Sequence, residues 1–141
     1  MKGALVKIVL VALVAGGAWA VTAWPRLNVV ETGRTPEYPD LQDRHYSASP
    51  ARVLEALEAA LEKRPRWRVV GSGKGAAGTA LHAVHETRVF RFKDDVDVTI
   101  RREGGQTVVH VRSQSRVGDW DFGQNARNVR ELLAALDAEL R

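Results

Sequence analysis

Apolar and polar residues alternate along the middle of the chain in the pattern of a half-buried β-strand. Residues 96–101 follow this alternation strictly. The glycine pair at 104–105 predicts a two-residue hairpin turn, and residues 107–116 predict the strand that returns from it. A glycine-rich segment, residues 71–78, predicts a flexible hairpin connection. Three further segments carry weaker strand patterns: residues 43–48, 67–70 and 79–92.

Two other segments have apolar residues at the spacing of one helix face. The first follows Ser49, a favourable N-cap, and Pro50, which suits the first helical position, and Pro65 predicts its end. The second covers residues 121–140, with Asp121 as its predicted cap. The predicted order is therefore β-α-β-β-β-β-α. We expect an α+β domain in which an antiparallel sheet of four to five strands carries both helices on one face.

The N-terminal segment is apolar and uncharged from residue 8 to residue 24, and Lys2 and Lys7 precede this run. A helix of these residues would span about 25 Å, and residues 3–7 would extend it across a bilayer. We therefore expect a membrane contact through residues 3–24. A cleaved signal peptide is the alternative, because small residues near its end fit a cleavage site.

These patterns divide the chain into three parts. Residues 1–25 are predicted to be a transmembrane anchor or signal peptide, residues 26–42 a linker, and residues 43–141 a soluble α+β domain. The two lysines predict that the N-terminus stays inside and the domain lies outside the cytoplasm, which is the periplasm in a Gram-negative cell.

Composition excludes several function classes. The chain has no cysteine, which rules out a disulfide framework and thiol catalysis. Of its 21 basic residues two are Lys2 and Lys7, so 19 face 17 acidic residues in the rest of the chain. This balance is not that of a nucleic-acid binder. We also predict no cofactor and no metal ion, because no HExxH or comparable ligand spacing is present.

Polar residues are densest where the last strand joins the last helix, within residues 108–130. One interpretation is an anion site, built from guanidinium groups and the free amides at the start of the helix. A phosphate, a carboxylate or a lipid headgroup would suit it. Its candidate residues are Arg112, Arg116, Asn125 and Arg127.

The other interpretation is a structural network that joins strand to helix. Asp94 and Asp95 would offset the positive charge of arginines near the N-terminus of the last helix, which is the positive end of the helix dipole. In a strand these neighbours would point to opposite faces, so they suit a turn better than a pair of carboxyl groups that share one proton. If they pair fully with the arginines, little positive potential remains for an anion. The candidate network residues are Asp94, Asp95, Ser113, Ser115, Asp121 and Arg130.

No catalytic residue is predicted. Ser113 or Ser115 could be combined on paper with a histidine and an aspartate, but the nucleophile-elbow pattern Gly-x-Ser-x-Gly is absent. The four histidines are expected at the surface or in hydrogen bonds.

Two groups of residues form a family pattern. They are Phe92, Asp94, Asp95 and Val96, and Arg112, Ser113, Ser115, Arg116, Gly118, Asp121, Gly123, Asn125 and Arg130. Through these residues the chain resembles a bacterial and plant family known as domain of unknown function 1499. The resemblance covers residues 36–140 and implies an uncharacterised domain that is often membrane-associated or exported, without established catalytic residues. Many members have an N-terminal cysteine-containing segment, which this chain lacks.

The sequence thus predicts a membrane-anchored, extracytoplasmic binding or accessory module. Its partner would be a membrane-protein complex or a small anionic or lipidic ligand. One alternative is a hydrolase-like enzyme that uses residues 112–125. Another is a purely structural subunit of a membrane complex.

Overall fold

The strands predicted from alternation form one antiparallel sheet. In this computed structural model residues 2–22 and 24–141 are described, and within the first helix only the side chains of residues 6–14, 17 and 18. The described residues form three helices and six strands: α1 (Lys2–Thr22), β1 (Val29–Glu31), β2 (Arg44–Tyr46), α2 (Pro50–Glu62), β3 (Trp67–Gly75), β4 (Gly78–Glu86), β5 (Lys93–Glu103), β6 (Gln106–Ser115) and α3 (Gln124–Glu139).

The prediction of an α+β domain with an antiparallel sheet is confirmed. The strand order is β1-β6-β5-β4-β3, and β2 pairs with β6 on the same side as β1. The two-residue turn between β5 and β6 is also confirmed, with Gly104 and Gly105 both at positive φ. The described sheet has one strand more than the upper predicted number, because β1 lies inside the segment predicted as a linker. Its three residues are too few to show an alternation.

The predicted hairpin connection within residues 71–78 is confirmed, but the prediction that this whole segment is a flexible loop is wrong. Residues 71–75 belong to β3, and the turn to β4 is confined to residues 76 and 77. A register shift between Val69 and Gly71 marks an irregularity in this edge strand. Glycine disfavours strand structure on its own, but here pairing with β4 on one side is sufficient to hold the segment extended.

Gly78 offers a direct test of how tightly β4 packs on β5. Its φ is +126°, and an added Cβ would lie 2.5 Å from the carbonyl oxygen of Ile100. We expect Gly78→Ala to lower the free energy of unfolding by about 1–3 kcal/mol, measured by urea denaturation. Gly71→Ala is the matched control, since an added Cβ there meets nothing within 4 Å. Equal midpoints for the two variants would contradict the prediction.

The first core helix begins as predicted. The Ser49 hydroxyl accepts a hydrogen bond from the Arg52 amide at 3.3 Å, and Pro50 is the first helical residue. The last helix begins at Gln124, so the prediction of a start at Asp121 is wrong. Gly123 occupies the N-cap position in the left-handed conformation and makes no side-chain cap.

Asp121 nevertheless caps α3 from outside the helix. One carboxylate oxygen accepts from the Gly123 amide at 2.9 Å and the other from the Asn125 amide at 2.7 Å. Both donors belong to amides that would otherwise be unpaired at a helix start. The predicted capping role is therefore retained with a different geometry.

Both core helices pack on one face of the sheet. Alternate residues of the strands point to this face, and most of them are apolar and fully buried. The opposite face carries charged and polar side chains. The core includes Val53, Leu57 and Leu61 of α2, Val96, Val98 and Ile100 of β5, Val109 and Val111 of β6, and Val129, Leu133 and Leu136 of α3.

The N-terminal helix α1 covers most of the segment predicted to be an anchor. Met1 and Ala23, also part of that prediction, lie outside the described residues, as does the side chain of Trp19. Among the described residues, no helix reaches both the length and the apolar character required to cross a bilayer.

Candidate functional site

Two long loops meet at one end of the sheet. Residues 87–92 connect β4 to β5, and residues 116–123 connect β6 to α3. They are neighbours because Asp94 at the start of β5 pairs with Ser115 at the end of β6. Two hydrogen bonds between Thr87 and Phe92 close the first loop. The Thr87 amide donates to the Phe92 carbonyl at 2.8 Å, and the Thr87 hydroxyl accepts from the Phe92 amide at 2.9 Å.

Aromatic side chains from both loops enclose a cleft of about 480 Å³. Phe90 and Phe92 stack with their ring centroids 5.4 Å apart, and Trp120 and Phe122 stack at 4.2 Å. Val117 completes the apolar walls. We call this site, defined by these five residues, the aromatic cleft.

Phe122 has a backbone conformation that bulky residues rarely adopt, with φ +52°. Its carbonyl accepts a hydrogen bond from Arg127 Nη1 at 3.1 Å, while its ring stacks on Trp120. The neighbouring Gly123 lies against Trp24, since a Cβ on that glycine would be 3.2 Å from the indole. The chain that follows α1 thus reaches the domain beside the aromatic cleft.

Beneath the cleft lies a buried polar network, defined here as Asp94, Ser113, Ser115, Asp121, Asn125 and Asn128. The Asn128 amide donates to Asp94 at 2.8 Å and to the Ser113 hydroxyl at 3.2 Å. His85 Nδ1 lies 3.6 Å from the same aspartate, too far for a hydrogen bond. Asp94 is both a network member and part of the cleft lining.

Asn125 is the centre of this network. Its carbonyl oxygen accepts from the Ser113 hydroxyl at 2.6 Å. Its amide donates to the Ser115 hydroxyl and to the backbone carbonyl of Asn28, both at 2.9 Å. The side chain therefore connects α3 to β6 and to the residue that precedes β1, and it is fully buried.

The predicted network residues divide among three places. Four of them, Asp94, Ser113, Ser115 and Asp121, belong to the polar network. Asp95 lies on the opposite face of the sheet, where Arg116 holds it through two hydrogen bonds of 2.7 and 2.8 Å. Arg130 pairs with Asp40 through two hydrogen bonds of 2.9 and 3.0 Å.

The idea that Asp94 and Asp95 occupy a turn is wrong, because both lie in strand β5. Their side chains do point to opposite faces, so one is buried in the network and the other is half-exposed.

The predicted anion-site residues are not brought together either. Arg112 and Arg116 are on the outer face of the sheet, where Arg112 bonds to Gln114 at 2.7 Å. Asn125 is buried and Arg127 lines the aromatic cleft. That these four residues bind an anion remains a prediction, and only Arg127 lies at the cleft.

Sequence reasoning missed the three phenylalanines of the cleft and Asn128. The sequence pattern predicts that Phe90 and Phe92 lie in a strand over residues 79–92, but in the structure this strand ends at Glu86. Asn128 follows Asn125 by three residues on the same helix face, which is the signal that could have identified a buried polar pair.

A second polar cluster surrounds His110 on the outer face, in a cleft of about 410 Å³. Its Nε2 lies 2.8 Å from Glu31 and its Nδ1 2.8 Å from Asp43. Burial raises the pKa of Asp43, but hydrogen bonds from Thr32 and His110 outweigh it, and the pKa is lowered overall. Among the described residues no group of three or more acidic, histidine or cysteine side chains is arranged to hold a metal ion.

Within the described part of the chain no serine hydroxyl is hydrogen-bonded to a histidine nitrogen. The Thr32 hydroxyl does lie within hydrogen-bond distance of a histidine, 3.1 Å from His110 Nδ1.

The Asp95–Arg116 pair gives the domain a defined pH dependence. The hydrogen bonds from Arg116 lower the pKa of Asp95, against an opposing effect of burial. The pair therefore stabilises the fold above the unfolded pKa of about 4 and loses this effect as the pH falls through the lower folded pKa. We expect the stability of Asp95→Asn to fall less between pH 5 and pH 2 than that of the native chain.

Urea midpoints measured across this range check the prediction. Asp119→Asn is the control, because Asp119 is exposed and forms no ion pair among the described residues. If the urea midpoints of Asp95→Asn and of the native chain fall equally between pH 5 and pH 2, the Asp95–Arg116 pair does not cause the pH dependence.

Together, the antiparallel sheet, the two helices on one face and the cleft at its end define an α+β domain with a concave apolar site. The chain belongs to the family described as protein of unknown function (DUF1499), whose profile matches residues 21–136. The resemblance inferred from the sequence is thereby confirmed. No curated protein matches this chain.

Several solved structures are similar to the chain. TTHA0849 from Thermus thermophilus is 18% identical, with 79% of this chain and 96% of that chain covered and a TM-score of 0.40. CV1439 from Chromobacterium violaceum is 12% identical, with 80% and 97% covered and a TM-score of 0.44. Ara h 8.0201 is 12% identical, with 79% and 96% covered and a TM-score of 0.42.

Proposed function

We propose that this chain is a membrane-attached module that binds a small amphipathic molecule with an anionic head. The apolar part of the ligand lies in the aromatic cleft and its head lies at Arg127. The observation that carries this proposal is the combination of aromatic walls with a guanidinium group that has no carboxylate partner among the described residues. Largely apolar concave sites with a few placed polar groups are typical of small-molecule binding.

The charges around the cleft favour an anionic head. Arg127 donates only to neutral acceptors, the Phe122 carbonyl at 3.1 Å and Gln124 Oε1 at 3.0 Å, and forms no ion pair with a described carboxylate. Arg88 lines the same cleft, is exposed, and has no hydrogen bond or ion pair within the described part of the chain. The two carboxylates of the cleft are already engaged, Asp94 by Asn128 and Asp121 by the start of α3.

Trp120 brings an unpaired polar group to the wall of the cleft. Its Nε1 is buried and has no hydrogen-bond partner among the described residues. Buried donors are normally paired in proteins, so a ligand oxygen within reach of this indole would gain a hydrogen bond. Arg127 favours a head with several oxygen acceptors, such as a phosphate or a carboxylate.

We assign the attachment to the N-terminal helix and place the domain outside the cytoplasm. Every large apolar side chain described in α1, from Val6 to Val14, is more than half exposed. A helix that is apolar on all sides requires an apolar environment. We expect the full chain to remain in the membrane pellet after alkaline extraction. Replacing Leu10 and Leu13 with lysine should release it, whereas a native chain found in the supernatant would contradict the attachment.

Calorimetry tests the ligand proposal. The full chain in nanodiscs of zwitterionic lipid is titrated with dodecyl phosphate below its micelle concentration, with empty nanodiscs as the reference. We expect saturable binding of one molecule per chain, and weaker binding of octyl glucoside, whose head is uncharged. Heat equal to that of empty nanodiscs would overturn the proposal.

A further inference from the structure

We propose that the two loops at the cleft end form a surface that docks into the headgroup region of an anionic lipid bilayer. We call it the tip surface and define it by Val89, Phe90, Phe92, Val117 and Phe122. The proposal takes its location from the membrane attachment proposed above, and it does not require a ligand in the aromatic cleft.

The distribution of exposed apolar side chains supports the tip surface. Val89 is 77% exposed, Phe90 74% and Val117 59%. Outside α1, the exposed large apolar residues of the described chain are the five of the tip surface, Trp24 beside them, and Val70 on an edge strand. A single exposed valine needs no explanation, whereas a contiguous group of this kind marks an interaction site.

The opposite end of the sheet has a different character. There the turns consist of Ala76 and Ala77 between β3 and β4, and of Gly104 and Gly105 between β5 and β6. These turns expose small residues and backbone. The large apolar groups are therefore concentrated at one end of the domain and are not a general property of its loops.

Basic groups beside the tip surface favour anionic lipid. Arg88 is exposed and unpaired within the described residues. The guanidinium carbon of Arg26 lies 5.1 Å from the centroid of the Trp120 ring, so cation and aromatic ring are held together at the same end. Arg91 forms an ion pair with Glu86 at 2.7 Å and therefore contributes less positive charge beside the tip surface. Aromatic rings and basic side chains are the groups that prefer the interface between water and lipid.

The path of the chain also favours a position of the tip surface next to the membrane. Trp24 follows α1 and lies against Gly123, next to Phe122 of the tip surface. A bilayer that holds α1 is therefore close to the loop tips, and it can cover them without a second binding event. This continuity with an apolar helix favours lipid over a protein partner as the occupant.

Because the chain has no cysteine, single cysteines report on chosen positions without background. Val89→Cys and Val117→Cys place an environment-sensitive nitrobenzoxadiazole dye on the tip surface. Val70→Cys is the control of the same residue type and similar exposure, and Ala76→Cys reports from the opposite end of the sheet. Each labelled full chain is mixed with vesicles of phosphatidylcholine alone or with phosphatidylglycerol, and the vesicles are then pelleted.

At positions 89 and 117 we expect a blue shift, quenching by brominated lipid, and several-fold weaker quenching by iodide than at positions 70 and 76. Phosphatidylglycerol should increase the difference. A pelleted chain whose four positions are equally accessible to iodide overturns the docking and leaves the attachment by α1 intact. Protection at positions 89 and 117 that appears only after another membrane protein is added assigns the surface to a protein and also overturns it. A chain that stays in the supernatant contradicts both proposals.

Discussion

Replacing Asn125 with alanine should lower the free energy of unfolding by about 2–5 kcal/mol. The substitution removes all three hydrogen bonds of a side chain that is itself fully buried. It also leaves the Ser113 hydroxyl, a buried donor, without its acceptor, and a buried polar group that loses its partner costs about 1–3 kcal/mol. The Asn28 carbonyl keeps its hydrogen bond from the Ser115 amide at 2.9 Å. The loss should appear in urea denaturation as a shift of the midpoint, with the slope of the transition unchanged.

Gln114→Ala is the matched control on the outer face of the sheet. Its Oε1 accepts one hydrogen bond, from Arg112, and both side chains are partly exposed, so water replaces the lost bond. We expect a change within about 0.5 kcal/mol. If both variants unfold at the same urea concentration, the buried network does not hold α3 to the sheet.

A double-mutant cycle separates the network from simple packing. Ser113→Ala should cost less in the Asn125→Ala background than in the native chain, because the hydroxyl has already lost its acceptor at 2.6 Å. Additive losses would mean that the two side chains act independently. The Asn128 amide also donates to Ser113. Ser113→Ala therefore still removes this hydrogen bond in the Asn125→Ala background, and its loss in free energy of unfolding does not fall to zero.

The parts of the fold that could be predicted are those in which local pattern and tertiary packing agree. Residues 96–101 alternate because one face of β5 meets the helices and the other meets solvent. Gly104 and Gly105 adopt the positive φ values that a two-residue hairpin demands. By contrast, β1 has three residues and exists because Val30 is buried in the core, where β1 contacts α3, while its backbone pairs with β6. Such a strand has no local signal.

The candidate site could be predicted only in part for the same reason. The polar residues of the junction are close in sequence, so Ser113, Ser115 and Asp121 were identified together. The cleft needs a second loop, residues 87–92, that comes from a different hairpin. Only the pairing of Asp94 with Ser115 brings that loop beside Trp120, and this register is a property of the whole sheet.

Two substitutions should separate the apolar and the anionic parts of ligand binding in the aromatic cleft. Phe92 contributes its ring to the wall, so Phe92→Ala should weaken binding of dodecyl phosphate and of an uncharged amphiphile alike, by about tenfold each. This factor corresponds to about 1.4 kcal/mol, a part of the free energy of burying a phenyl ring. Val70→Ala, an exposed apolar residue outside the cleft, should change neither affinity.

Arg127→Gln should weaken the binding of dodecyl phosphate by about tenfold or more and leave the affinity for octyl glucoside unchanged. A charge-assisted hydrogen bond to a phosphate is worth about 1.5–3 kcal/mol, and glutamine retains a donor without the charge. Equal losses for both amphiphiles would mean that the arginine acts through the position of Phe122, whose carbonyl it holds at 3.1 Å. Unchanged affinity for dodecyl phosphate would place the anionic head elsewhere, and Arg88 on the opposite loop would then be the residue to replace.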